Sequence, residues 1–277
     1  MPADLHCHSK LSDGSTTVEE LVMLAKRRGL NTISVTDHDT FQGSDKAVPF
    51  GEKYGVRIIR GAEVSSLDYE RKRKVHLLCY LPQNPEPILS IMRQTLEKRN
   101  NAMKRSIQKI LSVYPIPPEM IAKQSVGSTC IYKQHIMHAL MDAGYTTEVF
   151  GDLFRSLFSS KTGIARFPIE QPEVFEVLRK IKESGGVAVL AHPAVYNSYE
   201  LIPELIKNGL DGIEVSHPRA KESDAKELGE LCDRYGLIKT GGTDFHGMNT
   251  PKAQPIGTCT AADEEVEKII QLAAAGR

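Results

Sequence analysis

Tryptophan is absent from this chain of 277 residues, and aromatic residues of all kinds make up only 6% of it. Proteins that track single-stranded nucleic acid stack successive bases on aromatic rings, so a polymer-binding role starts with little to build on. Net charge is also missing: thirty-five basic residues balance thirty-five acidic ones. That balance argues against a general polyanion-coating protein, although a local basic face remains open. Apolar runs are short, the longest being five residues (Leu21–Ala25, Leu77–Leu81 and Val187–Ala191), against the ~17 or more that span a bilayer. The five cysteines (Cys7, Cys79, Cys130, Cys232, Cys259) never form a Cys-x-x-Cys pair. They read as reduced thiols of a cytoplasmic protein, and the opening Met1-Pro-Ala-Asp-Leu-His shows no secretory signal. Repeats of the solenoid type and low-complexity segments are absent.

What is present is ordinary soluble-protein composition, 40% hydrophobic and 25% charged. Such a chain has room for one large α/β domain, or a medium domain plus a small one. Apolar patterning predicts strands near Ala3–His6, Thr32–Thr36, Val56–Val64, Val75–Leu81, Val187–Ala191, Gly212–Ser216 and Leu237–Gly241. Helices fit Thr17–Arg28, Gly43–Tyr54, Pro172–Ser184, Tyr199–Lys207, Ser223–Tyr235 and Asp263–Ala274. This alternation implies parallel strands joined by right-handed crossovers, closing into a barrel or an incomplete one. The rhythm breaks between residues 82 and 167. There a helical repeat places Leu96, Met103, Ile107 and Ile110 on one face and Lys98, Arg105 and Lys109 on the other. The expected organisation is therefore a barrel domain from 1–81 and 168–277, with 82–167 inserted as a helical subdomain covering the active site.

The histidines decide the functional reading. Six of the nine stand at the ends of expected strands. His6 and His8 close the first strand as Asp4-Leu-His-Cys-His, and Asp13 follows. Side chains two apart on a strand share a face, so both imidazoles point one way and Cys7 the other. Thr36-Asp-His-Asp puts His38 at the tip of the second strand, Gly61-Ala-Glu-Val offers Glu63, and Val75-His-Leu offers His76. His192-Pro193 follows Val187–Ala191, and Gly242-Thr-Asp-Phe-His presents Asp244 and His246. In a β/α barrel the carboxyl ends of the strands form one rim, where active sites are built. Six imidazoles and three carboxylates would then share a bowl. That is too many for one ion, but three to four bonds for each of three ions if Glu63 bridges. A mixed His/carboxylate set without thiolates favours Mn, Fe or Zn, and the net positive bowl suits an anion such as a phosphate ester.

Together, Asp4-Leu-His-Cys-His, Asp13-Gly, Thr36-Asp-His-Asp, Gly61-x-Glu63, His192-Pro and Gly242-Thr-Asp-Phe-His resemble the PHP (polymerase and histidinol phosphatase) superfamily. The resemblance implies a distorted seven-stranded TIM-like β/α barrel and three divalent ions, Mn²⁺ first and Fe²⁺ or Zn²⁺ as alternatives. It implies that His6, His8, Glu63 and Asp244 hold the first ion. Asp13, His38 and His246 would hold the second, and Glu63, His76 and His192 the third. Within the superfamily the chain is similar to nucleoside 3′,5′-bisphosphate phosphatases and to phosphoribosyl 1,2-cyclic phosphate dihydrolases. Many nucleotide-directed relatives carry Arg-Pro-His where this chain has Lys133-Gln134-His135. Lysine keeps the charge but loses the bidentate fork, which turns the expectation toward a smaller phosphorylated sugar, including a cyclic phosphodiester.

The chemistry expected is in-line attack on phosphorus by a hydroxide bridging two ions, with Glu63 and Asp244 as catalytic carboxylates. His217, just past Gly212–Ser216, is the candidate acid or phosphate donor. Arg99, Lys133 and His135 are the candidate substrate contacts from the insertion. At least one of Asp37 and Asp39 is expected to support the site as a hydrogen-bond partner or helix cap and not as a ligand. His138 is expected to be structural, and Arg71-Lys-Arg-Lys74 a solvated turn. The competing function is a nuclease trimming short RNA or DNA ends with the same chemistry; a non-enzymatic metal-binding module fits least. A small phosphorylated substrate is the expected partner, nucleic acid the lesser one, and no membrane is involved.

Overall fold

A threonine sets the first helix. The Thr17 hydroxyl accepts from the Glu20 amide and the Glu20 carboxylate accepts from the Thr17 amide, a reciprocal cap that satisfies two otherwise orphaned donors. The computed structural model describes residues 2–252 and 254–276. In chain order these form β1 (Ala3–Cys7), α1 (Val18–Arg27), β2 (Thr32–Val35), α2 (Gln42–Tyr54), β3 (Arg57–Ile58), β4 (Gly61–Asp68) and β5 (Arg73–Tyr80). Then come α3 (Glu86–Leu111), α4 (Pro118–Gln124), α5 (Lys133–Asp142), α6 (Asp152–Phe158), α7 (Val174–Glu183), β6 (Val187–Leu190), α8 (Pro193–Tyr196) and α9 (Ile202–Lys207). The chain ends with β7 (Gly212–Ser216), α10 (Glu222–Tyr235), β8 (Ile238–Gly241) and α11 (Asp263–Ala274).

Strands β1-β2-β3 form a parallel sheet, and β4-β5-β6-β7-β8 a mixed one. Two sequence expectations change here. The run Val56–Val64 is not one strand: the chain leaves the first sheet after β3 and enters the second at β4. Nor are all the strands parallel. β4 and β5 pair antiparallel from Gly61–Tyr80 to Asp68–Arg73, because the four-residue link between them is too short for a crossover. β5 also runs against β6, whereas β6, β7 and β8 are parallel as expected. Among the described residues the two sheets do not close into one continuous ring; single bridges Cys7–Phe245 and His38–Glu63 join them.

Residues 82–167 contain the helices α3 to α6. The first turns of α3 pack Ile88, Ile91 and Met92 into the same apolar cluster as Val75, Leu77 and Leu190. Its later turns bury Ala102, Met103 and Ile110 in a separate cluster with Ile136, Leu140, Leu157 and Phe158. One long helix thus contributes to two apolar clusters. Arg105 and Lys109 are exposed, as the helical pattern predicts.

Candidate metal centre

All nine histidines and carboxylates singled out in the sequence meet at one end of the sheets. His6 lies in β1 and His8 just beyond it, while Cys7 between them packs into an apolar cluster with Leu21, Ile33 and Val35. The end of β8 must pass close to β1 to bring Asp244 and His246 in. A Cβ on Gly242 would lie 2.2 Å from His6 Cβ, so only glycine fits there. His76 is near the start of β5, not its end; because β5 is reversed, its start lies on the same side as the ends of the parallel strands. The backbone is itself unusual: φ is +29° at His192, +51° at Asp244 and +56° at Asp39. Such conformations cost about 1–3 kcal/mol each for residues with a Cβ and cluster at functional sites.

Glu63, 1% exposed, is the hub. One carboxylate oxygen is 2.6 Å from His76 Nδ1 and 2.8 Å from His192 Nε2. The other is 3.0 Å from His38 Nδ1, 3.2 Å from His8 Nε2 and 3.4 Å from His6 Nε2. Asp244 Oδ1 lies 3.3 Å from His8 Nε2, 3.6 Å from His6 Nε2 and 3.5 Å from His246 Nδ1. Asp13 stands 3.2 Å from His246 Nε2 and 3.8 Å from both His8 and His38.

Electrostatics follow from this crowding. Burial opposes the charge on Glu63, but His76, His38 and His6 outweigh it and hold the carboxyl well below the usual range. Burial would likewise strip His8 of its proton, yet the Asp244 and Glu63 carboxylates facing its Nε2 push it up to about 10. For His38 burial wins over Glu63 and Asp13, and its pKa falls to about 3.

Does the donor set fit divalent ions? Four imidazole nitrogens, His6 Nε2, His8 Nε2, His38 Nδ1 and His192 Nδ1, are buried and make no well-aligned hydrogen bond, although the first three face Glu63 Oε2 at 3.0–3.4 Å. Leaving a buried polar atom unsatisfied costs about 1–3 kcal/mol, so the three gathered around Glu63 Oε2 call for a shared acceptor of their lone pairs. Donor atoms lie within 4.8 Å of one another in four sets: His8-Asp13-His38-His246, His6-His8-Asp244, His6-Glu63-His192 and His38-Glu63-His76. The set contains nitrogen and oxygen but no thiolate, which suits manganese, iron or zinc. The fit is good.

A supporting shell holds these groups. Glu214 on β7 was not expected from the sequence. Its Oε1 is 3.0 Å from His6 Nδ1, and its Oε2 accepts the His192 amide at 2.8 Å. This bond fixes the proton of His6 on Nδ1 and leaves Nε2 facing the cluster. A charged residue between Ile213 and Val215 in an otherwise apolar strand was the available signal, since a buried glutamate needs a partner. Asp37 accepts from Ser9 and Ser12, and Asp39 from the Ser65 amide and hydroxyl. Both flanking carboxylates are therefore consumed in positioning loops. His217 Nδ1 accepts the Arg219 amide, and its Nε2 faces Asp244 Oδ2 at 3.4 Å.

Beside the cluster lies a cavity of about 410 Å³ whose lining includes Asp13, His38 and His76. Arg99, Tyr132, Lys133 and Gln134 line it from residues 82–167, and Ser65, Lys74, Arg166, Gln171 and Tyr196 add to its polar wall. Arg99 is less free than expected, because its Nη2 bonds Asp39 Oδ2 and Ser65 Oγ, both at 3.0 Å. His135 is not where the sequence reading put it. It is buried, absent from the cavity lining, and its Nδ1 accepts the Tyr132 amide at the start of α5. The helix needs that cap because Tyr132 has no short polar side chain to supply one. His138 is structural, as expected: it bonds Asn249, whose amide donates to the Asp13 carbonyl. Lys74, read as part of a solvated turn, is indeed exposed, but it is the second residue of β5 and borders the cavity.

Residues 4–183 match the model of the PHP domain family. A phosphoribosyl 1,2-cyclic phosphate 1,2-diphosphodiesterase from Eggerthella lenta is 40% identical over 249 residues, covering 89% of this chain and 95% of the relative. A 5′-3′ exoribonuclease from Haemophilus influenzae is 26% identical over 88% of this chain and 89% of its own length. Among solved structures, one from Bifidobacterium adolescentis described as a metal-dependent phosphoesterase superposes with a TM-score of 0.88 at 31% identity, covering 98% of this chain and 96% of that one. With the whole donor set in place and the family model spanning most of the chain, this protein is a metal-dependent hydrolase of phosphoric esters and belongs to the PHP domain family.

Proposed function

We propose that the chain hydrolyses a small phosphorylated sugar or nucleotide, either a cyclic phosphodiester or a monoester, at a centre of three divalent ions with manganese the first choice. His6, His8, Glu63 and Asp244 would hold one ion. Asp13, His38 and His246 would hold another, and Glu63, His76 and His192 the third. Ions so held make water nucleophilic at neutral pH and offset the charge that grows on phosphoryl oxygens. Glu63 keeps the imidazoles around it oriented, and Asp244 joins the His6/His8 pair to His246. His217, whose Nδ1 accepts the Arg219 amide and whose Nε2 faces Asp244 Oδ2, would serve as a hydrogen-bond donor beside the reacting phosphate. Arg99 and Lys133 present positive charge to the substrate from the insertion. We read the two sheets as arcs of one distorted barrel, residues 82–167 as the module covering its rim, and the cytoplasm as the working compartment.

The observation that carries this reading is the size and lining of the cavity. About 410 Å³ beside three groups of the cluster suits a sugar phosphate or mononucleotide. The exoribonuclease relative gives a second reading, removal of nucleotides from short RNA ends, some weight. A panel with Mn²⁺ separates the two: phosphate release from cyclic sugar phosphates, nucleoside bisphosphates and histidinol phosphate, against shortening of labelled oligonucleotides. Turnover of oligonucleotides alone, with a steep salt dependence, would overturn the small-molecule assignment.

A further inference from the structure

Asp13, His38 and His246, which with His8 make up one of the four donor sets, are tied to the helices α3 and α5 as well as to the sheets. Asn249 is the junction. Its side chain is buried, and both ends of its amide are used. Oδ1 faces His138 Nε2 on α5 at 2.8 Å, and Nδ2 donates to the Asp13 carbonyl at 2.8 Å. Its backbone amide donates to the His246 carbonyl at 3.2 Å. An amide oxygen only accepts, so the bond from His138 holds the side chain in the orientation that turns its NH₂ to Asp13. Gln134, one turn earlier on α5, reaches the same residue from another side and donates to Asp13 Oδ2 at 3.3 Å. That leaves Oδ1 to His246 Nε2, 3.2 Å away. Ahead of α5, the Thr129 amide and hydroxyl donate to the Leu11 carbonyl, and the Ser128 hydroxyl lies within 3.2 Å of the Leu11 and Ser12 carbonyls. On α3, Arg99 bonds Asp39, the neighbour of His38. The remaining donors are backed differently. Among the described residues, no hydrogen bond joins residues 82–167 to His6, His76, His192 or Asp244.

We propose that Asn249 and Gln134 are positioning residues for the ion held by Asp13, His38 and His246, and that α5 sets through them how tightly this one ion is bound. This rests on the metal-centre reading above. A carboxylate free at both oxygens can turn between partners. With Gln134 on one oxygen and Asn249 on the backbone carbonyl, the direction of the other oxygen is fixed. Because Asn249 also reaches the His246 carbonyl, one residue sets the spacing between two ligands of the same ion. His6 and His192 lean on Glu214 of β7 instead, so ions held there should not respond to changes in α5.

Titration of the chelated full chain with Mn²⁺ by calorimetry, with bound metal counted by elemental analysis, tests this without turnover. Asn249→Asp keeps the shape and the acceptor for His138 but turns an oxygen toward the Asp13 carbonyl. Gln134→Leu, at the cavity wall, removes the donor without touching a core. Each should weaken one equivalent of Mn²⁺ by roughly 10- to 100-fold and leave the others within about threefold. The metal-free Gln134→Leu protein should melt as wild type does. His138→Gln, which still offers Asn249 an N–H, should bind within about threefold of wild type, whereas His138→Leu should behave as Asn249→Asp does. In protein already carrying Asp13→Asn, Gln134→Leu should add no further loss. Equal weakening of every equivalent, unchanged binding in both variants, or a full further loss on the Asp13→Asn background overturns the positioning role. Wild-type protein that takes up no Mn²⁺, Fe²⁺ or Zn²⁺ overturns the metal-centre reading and this proposal with it, a failure visible before any variant is made.

Discussion

Replacing Glu214 by glutamine probes how the cluster is held. Its two carboxylate oxygens each serve a different group: one faces His6 Nδ1 at 3.0 Å and the other accepts the His192 amide at 2.8 Å. Both partners are donors when His6 Nε2 is reserved for an ion. Glutamine has nearly the same shape but offers only one accepting atom, its second position being an NH₂ donor. Whichever way the amide is turned, one buried donor loses its partner and meets another donor instead. A hydrogen bond to a charged acceptor is worth about 1.5–3 kcal/mol, and each 1.4 kcal/mol is tenfold in an equilibrium. The expected result is a 10- to 100-fold loss of metal affinity, in line with the usual cost of disturbing the partner of a ligating histidine. Metal titration of the chelated variant by calorimetry reads this directly, with kcat followed in parallel. Thermal melting of the metal-free protein reports any purely structural loss. If Glu214→Gln melts lower but binds metal and turns over normally, the idea that this carboxylate orients His6 and His192 is wrong.

Glu63→Gln removes the charge shared by five imidazoles and should lower kcat on the order of a thousandfold while reducing bound metal; near-normal turnover measured with saturating Mn²⁺ would remove Glu63 from the bridging role. Chelation should lower the melting temperature on the order of 5 °C relative to a hundredfold excess of metal over its dissociation constant, and scanning calorimetry with and without Mn²⁺ would show no difference if the cluster does not bind ions. Lys133, faced by Lys74, Arg99 and Arg166 and stacked near Phe158, gives a pH signature. Only the protonated amine attracts phosphate, so kcat/KM for a phosphorylated sugar should fall as pH rises through about 8. Lys133→Arg stays charged and should lose that limb; a limb that survives the change would place the titration elsewhere.

Much of the site could be read before any coordinates, because metal chemistry demands residue types that stand out. Six imidazoles at strand ends have few other uses, and all nine expected groups do converge. The reversal of β5 was hidden: alternating and continuous apolar runs look alike in either direction, and only the four-residue link at 69–72 betrays the hairpin. Val56–Val64 reads as one strand because nothing in Arg60-Gly61 announces that the chain changes sheets there. Glu214 and the Asp39–Arg99 pair escaped for a different reason. Their importance lies in partners distant along the chain, which a local pattern cannot carry. His135 misled because a histidine at a helix start can serve as a cap as well as a ligand contact.

The placing of α3 to α6 between β5 and β6 also imposes an order on biosynthesis. His6, His8, Asp13, His38, Glu63 and His76 leave the ribosome before α3, whereas His192, Asp244 and His246 wait until α3 to α6 have been translated. At about 5–20 residues per second, roughly ten seconds separate the emergence of His76 from that of His192. A nascent chain therefore offers six donors to the cell's free metals before the remaining three exist, and the finished centre is assembled only when nearly the whole polypeptide has been made.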